Sequence, residues 1–250
     1  MRVIVLGAGT AVPAPRHSPA GLFIDAAGER LLLDAGAGTL QRLHQAGVPF
    51  AELDRIFLTH YHIDHCLDLV SILFALRLPQ IHRRKTLTVY GPRGLKRLYR
   101  RLNAAFNRWI SPRGFPLVLK EVRETTLTFK GYTVQARPMN HGDAGAVGYR
   151  VAAGGRSVAY SGDTDVCEGV VELGRQAHLL ILECSVPDER KVAGHLTPSE
   201  CGRIASAAGC RHLVLTHFYP VFRGYDIRAR VRRSFRGRVT LAEDFASFRV

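Results

Sequence analysis

The sequence predicts an α/β fold (α+β in some schemes), built as a sandwich with helices outside and sheets inside. Three observations lead there. Short apolar runs of strand length alternate with stretches of helical period along the whole chain. An apolar fraction of 46% over 250 residues is ample for a continuous core. Three strand-like runs also end alike: 54–60 and 211–217 each close on Thr-His, and 157–163 closes on aspartate. Strands that deliver metal-type side chains at one end describe a site at the rim of a β-layer, and two βα-rich halves sharing that rim fit such a sandwich.

Taken in order, Arg2-Val3-Ile4-Val5-Leu6 reads as a first strand with no secretory leader ahead of it. Gly7 and Gly9 suit a tight loop after it. The third glycine of a dinucleotide motif is absent, and Pro13 and Pro15 forbid the helix that should follow. Runs 22–25 and 30–34 predict a hairpin around Ala27-Gly28, and Gly36-Ala37-Gly38-Thr39 leads into a helix with Leu40, Leu43 and His44 on one face. Strands are expected at 54–59 and 86–90, and a mostly apolar helix at 66–76. A further helix runs to about Asn107, with Leu95, Leu98, Leu102 and Phe106 as its apolar side. Runs 127–129, 132–138, 146–151 and 157–160 predict strands, with a hairpin turn at Ala153-Gly154-Gly155, and 179–182 and 212–215 read as buried strands. No linker interrupts the run, so the expectation is one domain over 1–250.

The longest apolar stretch, around 67–76, is too short to span a bilayer and carries Asp68, so the chain reads as cytoplasmic and free of membrane. Its five cysteines (Cys66, Cys167, Cys184, Cys201, Cys210) contain no C-x-x-C, and buried reduced thiols are expected rather than a disulfide framework. The net charge is +14, and the excess is local. Segment 69–120 holds twelve basic residues and no acidic one, and 217–250 holds eight against three. Arg93, Lys96, Arg97, Arg100 and Arg101 recur at helical steps, and Arg228, Arg230, Arg232 and Arg233 lie in an arginine-rich tail from Arg223 to Arg238. Such local excess suits a surface made for phosphates; a merely solvated basic face is the bland alternative.

The densest chemistry lies in Thr59-His60-Tyr61-His62-Ile63-Asp64-His65, with four metal-capable side chains in six residues at the close of an apolar strand. A single histidine is usually an ordinary polar residue, but H-x-H-x-D-H spacing points to a metal site whose other ligands come from elsewhere. His17, His82, His178 and His212 lack any such pattern and read as surface or core polar residues.

Further segments carry a resemblance. These are Leu6-Gly7-Ala8-Gly9-Thr10, Asp34-Ala35-Gly36-Ala37-Gly38-Thr39, Tyr90-Gly91-Pro92, His141 with Gly148-Tyr149-Arg150, Ser161-Gly162-Asp163-Thr164, Gly194-His195-Leu196-Thr197 and Leu215-Thr216-His217. With the histidine cluster they make the sequence similar to the metallo-β-lactamase superfamily, and within it to ribonuclease Z and its short phosphodiesterase-like relatives. The resemblance implies a four-layer αββα sandwich and two divalent metal ions, zinc foremost, with manganese or iron as alternatives. One ion would take His60, His62 and His141, the other Asp64, His65 and His217, and Asp163 would bridge them. Zinc lowers the pKa of a bound water to about 7, so hydroxide is available to attack phosphorus at neutral pH. Asp64 would also orient or deprotonate that water, and His195 would protonate the leaving oxygen. Glu183, closing a strand, is a candidate to orient a histidine or a ligand.

Departures narrow the resemblance. Ribonuclease Z carries a long arm that clamps transfer RNA between the Gly-Tyr-Arg and Gly-Asp-Thr segments, where only 151–156 stand here. Asp68 replaces a usual glycine, and Glu183-Cys184-Ser185 replaces His-Glu-Ala-Thr. The expected function is therefore a dinuclear metal-dependent phosphodiesterase of ribonuclease Z-like type, acting on RNA, a nucleotide or a small diester, with a homodimer left open. Alternatives are an ester, lactone or sulfate-ester hydrolase, which a neutral apolar pocket would favour, or an iron-dependent redox enzyme. A non-catalytic nucleic-acid-binding module ranks last, because all seven ligand positions are present.

Overall fold

The computed structural model describes residues 1–222 and 224–250. In chain order the elements are β1 (Arg2–Gly7), β2 (Gly21–Ala26), β3 (Glu29–Leu33), α1 (Thr39–Gln45), β4 (Arg55–Phe57), α2 (Ile63–Cys66), α3 (Asp68–Leu76), β5 (Leu87–Gly91), α4 (Leu95–Ala105), β6 (Leu117–Glu121), β7 (Thr125–Phe129) and β8 (Tyr132–Pro138). They continue with β9 (Val147–Ala153), β10 (Arg156–Tyr160), α5 (Glu168–Gly174), β11 (Leu179–Glu183), α6 (Pro198–Ala208), β12 (His212–Thr216), α7 (Ile227–Val231), β13 (Arg238–Leu241) and β14 (Ser247–Arg249). The strands form two seven-stranded sheets, ordered β14-β1-β2-β3-β4-β5-β6 and β13-β12-β11-β10-β9-β8-β7.

Strand composition dictates the layering. In β1, Val3 and Val5 point to one face and Ile4 and Leu6 to the other, and all four are buried. In β11, Leu179 and Ile181 face the opposing sheet while Leu180 and Leu182 face helices. Strands apolar on both faces need cover on both sides. The first face meets the other sheet, in a core that joins Val3, Leu22, Ile24 and Phe57 to Val134, Tyr149, Val158 and Ile181. The second faces are covered by α1, α3 and α4 on one sheet and by α5, α6 and α7 on the other. The αββα sandwich expected from the sequence is what forms.

Some boundaries differ. The strand expected over 54–59 ends at Phe57, because 58–62 leaves the sheet as an extended loop and α2 begins at Ile63. The apolar helix begins as two pieces, α2 and α3, rather than one. Phe106, expected on the buried side of α4, lies beyond its last residue and is 45% exposed. Arg77 and Arg83, counted toward a basic surface, are buried. Arg83 donates to the Leu53 and Thr86 carbonyls (2.8 and 2.9 Å), and Arg77 to that of Arg108 (3.1 Å). The cysteines are free, and Cys66 packs in the core with its thiol 3.4 Å from the Tyr61 carbonyl. No helix among the described residues is long and apolar enough to cross a membrane.

The two sheets are tied at one rim by Asp34, which is fully buried and left-handed (φ 58°) just after β3. Its carboxylate accepts from Thr59 N (2.7 Å), Thr59 Oγ1 (2.9 Å), His65 Nδ1 (2.8 Å) and, across the sandwich, Tyr160 OH (2.9 Å). Tyr149 OH reaches back the other way to the Leu58 carbonyl (2.9 Å). Removing the Asp34 acceptor strands several buried donors at about 1–3 kcal/mol each. Asp34→Ala is therefore expected to lose about 3–5 kcal/mol, read as a lower urea midpoint at unchanged slope. A midpoint within error of the parent would show that Asp34 carries no such load.

Candidate metal centre

The rim that Asp34 organises is where the metal-type side chains converge. His60 and His62 sit two residues apart in the loop after β4, with their rings 4.6 Å apart. Asp64 and His65 follow on the first turn of α2. From the second sheet come His141 in the β8–β9 loop, Asp163 after β10, and His217 directly after β12 with left-handed backbone (φ 60°). Gly162, at φ 58°, makes the turn into Asp163. A Cβ there would lie 2.6 Å from that of Thr59, so no other residue fits.

Hydrogen bonds settle which ring nitrogen four of the imidazoles present. Asp34 is acceptor-only, so His65 Nδ1 donates to it; the Gly194 carbonyl likewise receives His141 Nδ1–H at 2.7 Å. Ser185 Oγ donates to Glu183, which leaves it to accept from His217 Nδ1 (2.9 Å). Thr59 Oγ1 donates to Asp34 and accepts from His60 Nδ1 (3.1 Å). In all four rings the Nε2 lone pair is thereby directed away from the anchoring partner, which is how imidazoles are prepared to ligate.

Those nitrogens surround Asp163, which is 2% exposed. Its Oδ1 lies 3.2 Å from His65 Nε2 and 3.4 Å from His217 Nε2; its Oδ2 lies 3.9 Å from His60 Nε2 and 3.7 Å from His141 Nε2. His141 Nε2 is 3.1 Å from His62 Nδ1, His65 Nε2 is 3.2 Å from His217 Nε2, and Asp64 Oδ2 is 3.4 Å from His217 Nε2. Two donors about 2.05 Å from a tetrahedral zinc ion stand about 3.3 Å apart, so these separations suit shared coordination. Ligand atoms of His60, His62, His141 and Asp163 form one grouping and those of Asp64, His65 and His217 another, each compact enough for a divalent ion. His60 Nε2 is buried with no hydrogen-bond partner among the described residues, an expensive state that coordination would relieve.

Electrostatics favour the ligating forms of the carboxylates. Burial pushes Asp163 upward, but His217 and His65 outweigh it and hold the group well below the usual carboxylate range. Asp64 is held low in the same way, against burial, by the bond and charge of His217 and the charge of His65. Ala11 N–H also donates to Asp64 Oδ2 (3.0 Å), which brings the first glycine loop against the site.

His195 and Glu183 lie alongside. His195 Nδ1 donates to Glu183 Oε1 (3.1 Å) and is 3.9 Å from Asp163 Oδ2, while its ring stands 4.9 Å from that of His141. Burial lowers the His195 pKa, but the bond and charge of Glu183, with Asp163, more than offset it, and the net shift is upward. Glu183 itself is 1% exposed, accepts from Thr164 N (2.7 Å) and Leu196 N (3.1 Å), and reaches the site through His195 and Ser185.

Of the expected phosphate contacts, Arg93, Arg97 and Arg101 line a cleft of ≈ 490 Å³ together with Tyr61 and His62, directly beside the centre. Lys96 and Arg100 are exposed on α4 but do not line it. In the tail, Arg228 donates to the Val239 carbonyl (2.8 Å) and Arg230 pairs with Glu189 (2.7 Å), so internal contacts engage both; Arg232 and Arg233 are exposed. Arg223 lies outside the described residues. His17 is half-buried with its ring 5.5 Å from that of Phe218, and His44 is on the surface.

Several supports were not assigned in the sequence reading: Asp34, Ser185, and Lys191, whose ammonium bonds Asp165 Oδ1 (2.6 Å), Glu200 Oε2 (2.7 Å) and the His195 carbonyl (2.5 Å). Asp34 had a visible signal, standing first in Asp-Ala-Gly-Ala-Gly at a strand end, whereas Lys191 had none.

The chain is similar to known proteins over most of its length. The beta-lactamase superfamily domain pattern matches residues 29–218. A ribonuclease Z from Mycolicibacterium paratuberculosis is 30% identical, over 98% of this chain and 96% of that protein. Its alignment runs over 272 positions against 250 residues here, so the relative carries inserted residues that this chain lacks. Among solved structures, the metallo-beta-lactamase fold protein YhfI from Bacillus subtilis superposes with a TM-score of 0.84 at 26% identity, covering 99% of this chain and 98% of that one. The short form of human tRNase Z gives 0.82 at 27% identity, covering 100% and 99%. This chain belongs to the beta-lactamase superfamily, on its ribonuclease Z-like side, and is a metal-dependent hydrolase.

Proposed function

We propose that the chain hydrolyses phosphodiester bonds in RNA or a related nucleotide substrate, using two divalent ions, zinc foremost, held by the seven rim residues. The observation that carries this reading is the division of Asp163, with one oxygen toward His65 and His217 and the other toward His60 and His141. A carboxylate placed in this way would be shared between two metal sites. The substrate class rests on the named activity of the relatives and on Arg93, Arg97 and Arg101 lining the adjoining cleft. Guanidinium groups suit phosphate oxygens and would serve a neutral ester or lactone poorly.

Ions bound at the two groupings would supply Lewis-acid activation of water and charge neutralisation at phosphorus. The remaining work belongs to the chain. Asp64 stays ionised, so its carboxylate can hold a cation and accept a hydrogen bond that orients the attacking water. His195 carries the proton to the leaving oxygen: Glu183 accepts from its Nδ1, fixes the ring, and raises the fraction that is imidazolium. Glu183 acts as a positioning residue, held in turn by the Thr164 and Leu196 amides. The arginines of the α4 cleft orient the diester and favour its approach.

His195→Ala is expected to retain metal while the rate on an alkoxide-leaving RNA diester falls by about 10²–10⁴. Bis(4-nitrophenyl) phosphate, whose leaving group needs no proton, should lose far less. Equal losses on both substrates would remove His195 from the proton-transfer role. Asp163→Ala should bind neither ion tightly, and full metal content by atomic spectroscopy in that variant would refute the bridge. Metal at 100 times its dissociation constant should add about 2.7 kcal/mol of stability over chelator-treated protein. A melting temperature indifferent to chelator would contradict a preformed site.

A further inference from the structure

The metal-type residues lie at the C-terminal ends of β10, β11 and β12; the opposite ends of the same strands form a basic row that the chemistry above does not use. Arg156 opens β10, His178 and Arg211 immediately precede β11 and β12, and Arg238 opens β13. These strands run parallel and in close register, with Val158 beside Leu179, Leu180 beside Leu213 and His212 beside Arg238. Neighbouring strands are about 4.8 Å apart, so the row from Arg156 to Arg238 extends for about 15 Å.

Two adjoining clefts, of ≈ 730 and ≈ 370 Å³, share Arg156, His178 and Arg211, with Arg175 lining the first and Arg238 and Arg249 the second. No aspartate or glutamate is among the described residues that line either. Arg156, Arg175, Arg211, Arg238 and Arg249 are exposed and make no ion pair among the described residues. Ordinary surfaces intersperse the two signs, and a row of like charges opposes its own folding unless something uses it. His178 sits in that field: burial first, then Arg211, Arg156 and Arg150, lowers its pKa, and its Nδ1 has no hydrogen-bond partner among the described residues.

We propose that this row is a second phosphate-binding site, taking the backbone of a single nucleic-acid strand at the pole remote from the metal centre. Its length decides the ligand class. One phosphate engages one or two guanidinium groups, whereas cations spaced along about 15 Å match a linear chain of phosphates. Phe129 and Phe248 at the edges of the two clefts are packed internally, against Tyr132 and Arg55 and against His212, so recognition here rests on the phosphates. The five-residue strands separate the two poles by about 16 Å, so short diesters reach only one of them. Binding here needs neither metal nor turnover, and the inference survives or fails apart from the phosphodiesterase reading.

The test is fluorescence anisotropy with a labelled twelve-nucleotide oligouridylate, in chelator so that no cleavage occurs. The variants are R156E/R211E and, separately, R238E, all at exposed side chains without ion pairs. The double variant is expected to bind about tenfold or more weakly at 0.1 M salt, with the salt dependence of log affinity shallower by about 1.4 for two lost contacts. R238E should weaken binding in the same direction, and metal-loaded R156E/R211E should hydrolyse bis(4-nitrophenyl) phosphate at the parent rate. Unchanged oligouridylate affinity in both variants would overturn the site. Equal displacement of the oligonucleotide by inorganic polyphosphate with the same number of phosphates would overturn its assignment to nucleic acid.

Discussion

The centre depends on one buried carboxylate. Asp34 receives Thr59, His65 and Tyr160, and through Thr59 it also governs His60. Thus one side chain on the first sheet fixes two metal-facing imidazoles and grips the second sheet. Such a group is tolerable in a dry interior only because every donor around it is aimed at it. The backbone at Asp34 is left-handed, a conformation aspartate tolerates better than most residues, and it aims the carboxylate at these donors.

A second hub serves the other sheet. Glu183 accepts from two backbone amides, from His195 and from Ser185, and Ser185 in turn receives His217. Lys191 closes the loop that carries His195 by bonding its carbonyl and two carboxylates, while Gly194 in the same loop receives His141. His60, His65, His141, His195 and His217 are therefore each held through the nitrogen they do not present. The two hubs meet only at the rim, where side chains from both sheets face one another across Asp163.

The sequence made the layered fold and the rim residues legible because both rest on local patterns. Strands apolar on both faces declare themselves by composition, and His60 to His65 declare themselves by spacing. His141 and His195 have no such pattern around them, and the family resemblance brought them in. The ends of β4 and α4 were misjudged because Leu58-Thr59 and Phe106 continue the apolar pattern after backbone geometry has changed. The interior roles of Arg77 and Arg83 were invisible, since nothing local reveals that backbone carbonyls will satisfy a guanidinium. The row at Arg156, Arg211 and Arg238 was equally hidden, because it is assembled by strand register from residues scattered over eighty positions.

The first sheet closes by pairing β1 with β14, so that Arg2 lies opposite Arg249 and Val3 opposite Phe248. The rim likewise joins residues near position 60 to His217. Such contacts are the costliest in chain entropy and the slowest to search. Until β14 pairs with it the first sheet has an open edge at β1, and the metal-facing residues of the first half wait for His141, Asp163 and His217 from the second. Closing that edge and completing the rim are thus both long-range events, and an unpaired β1 is the aggregation hazard while they are pending.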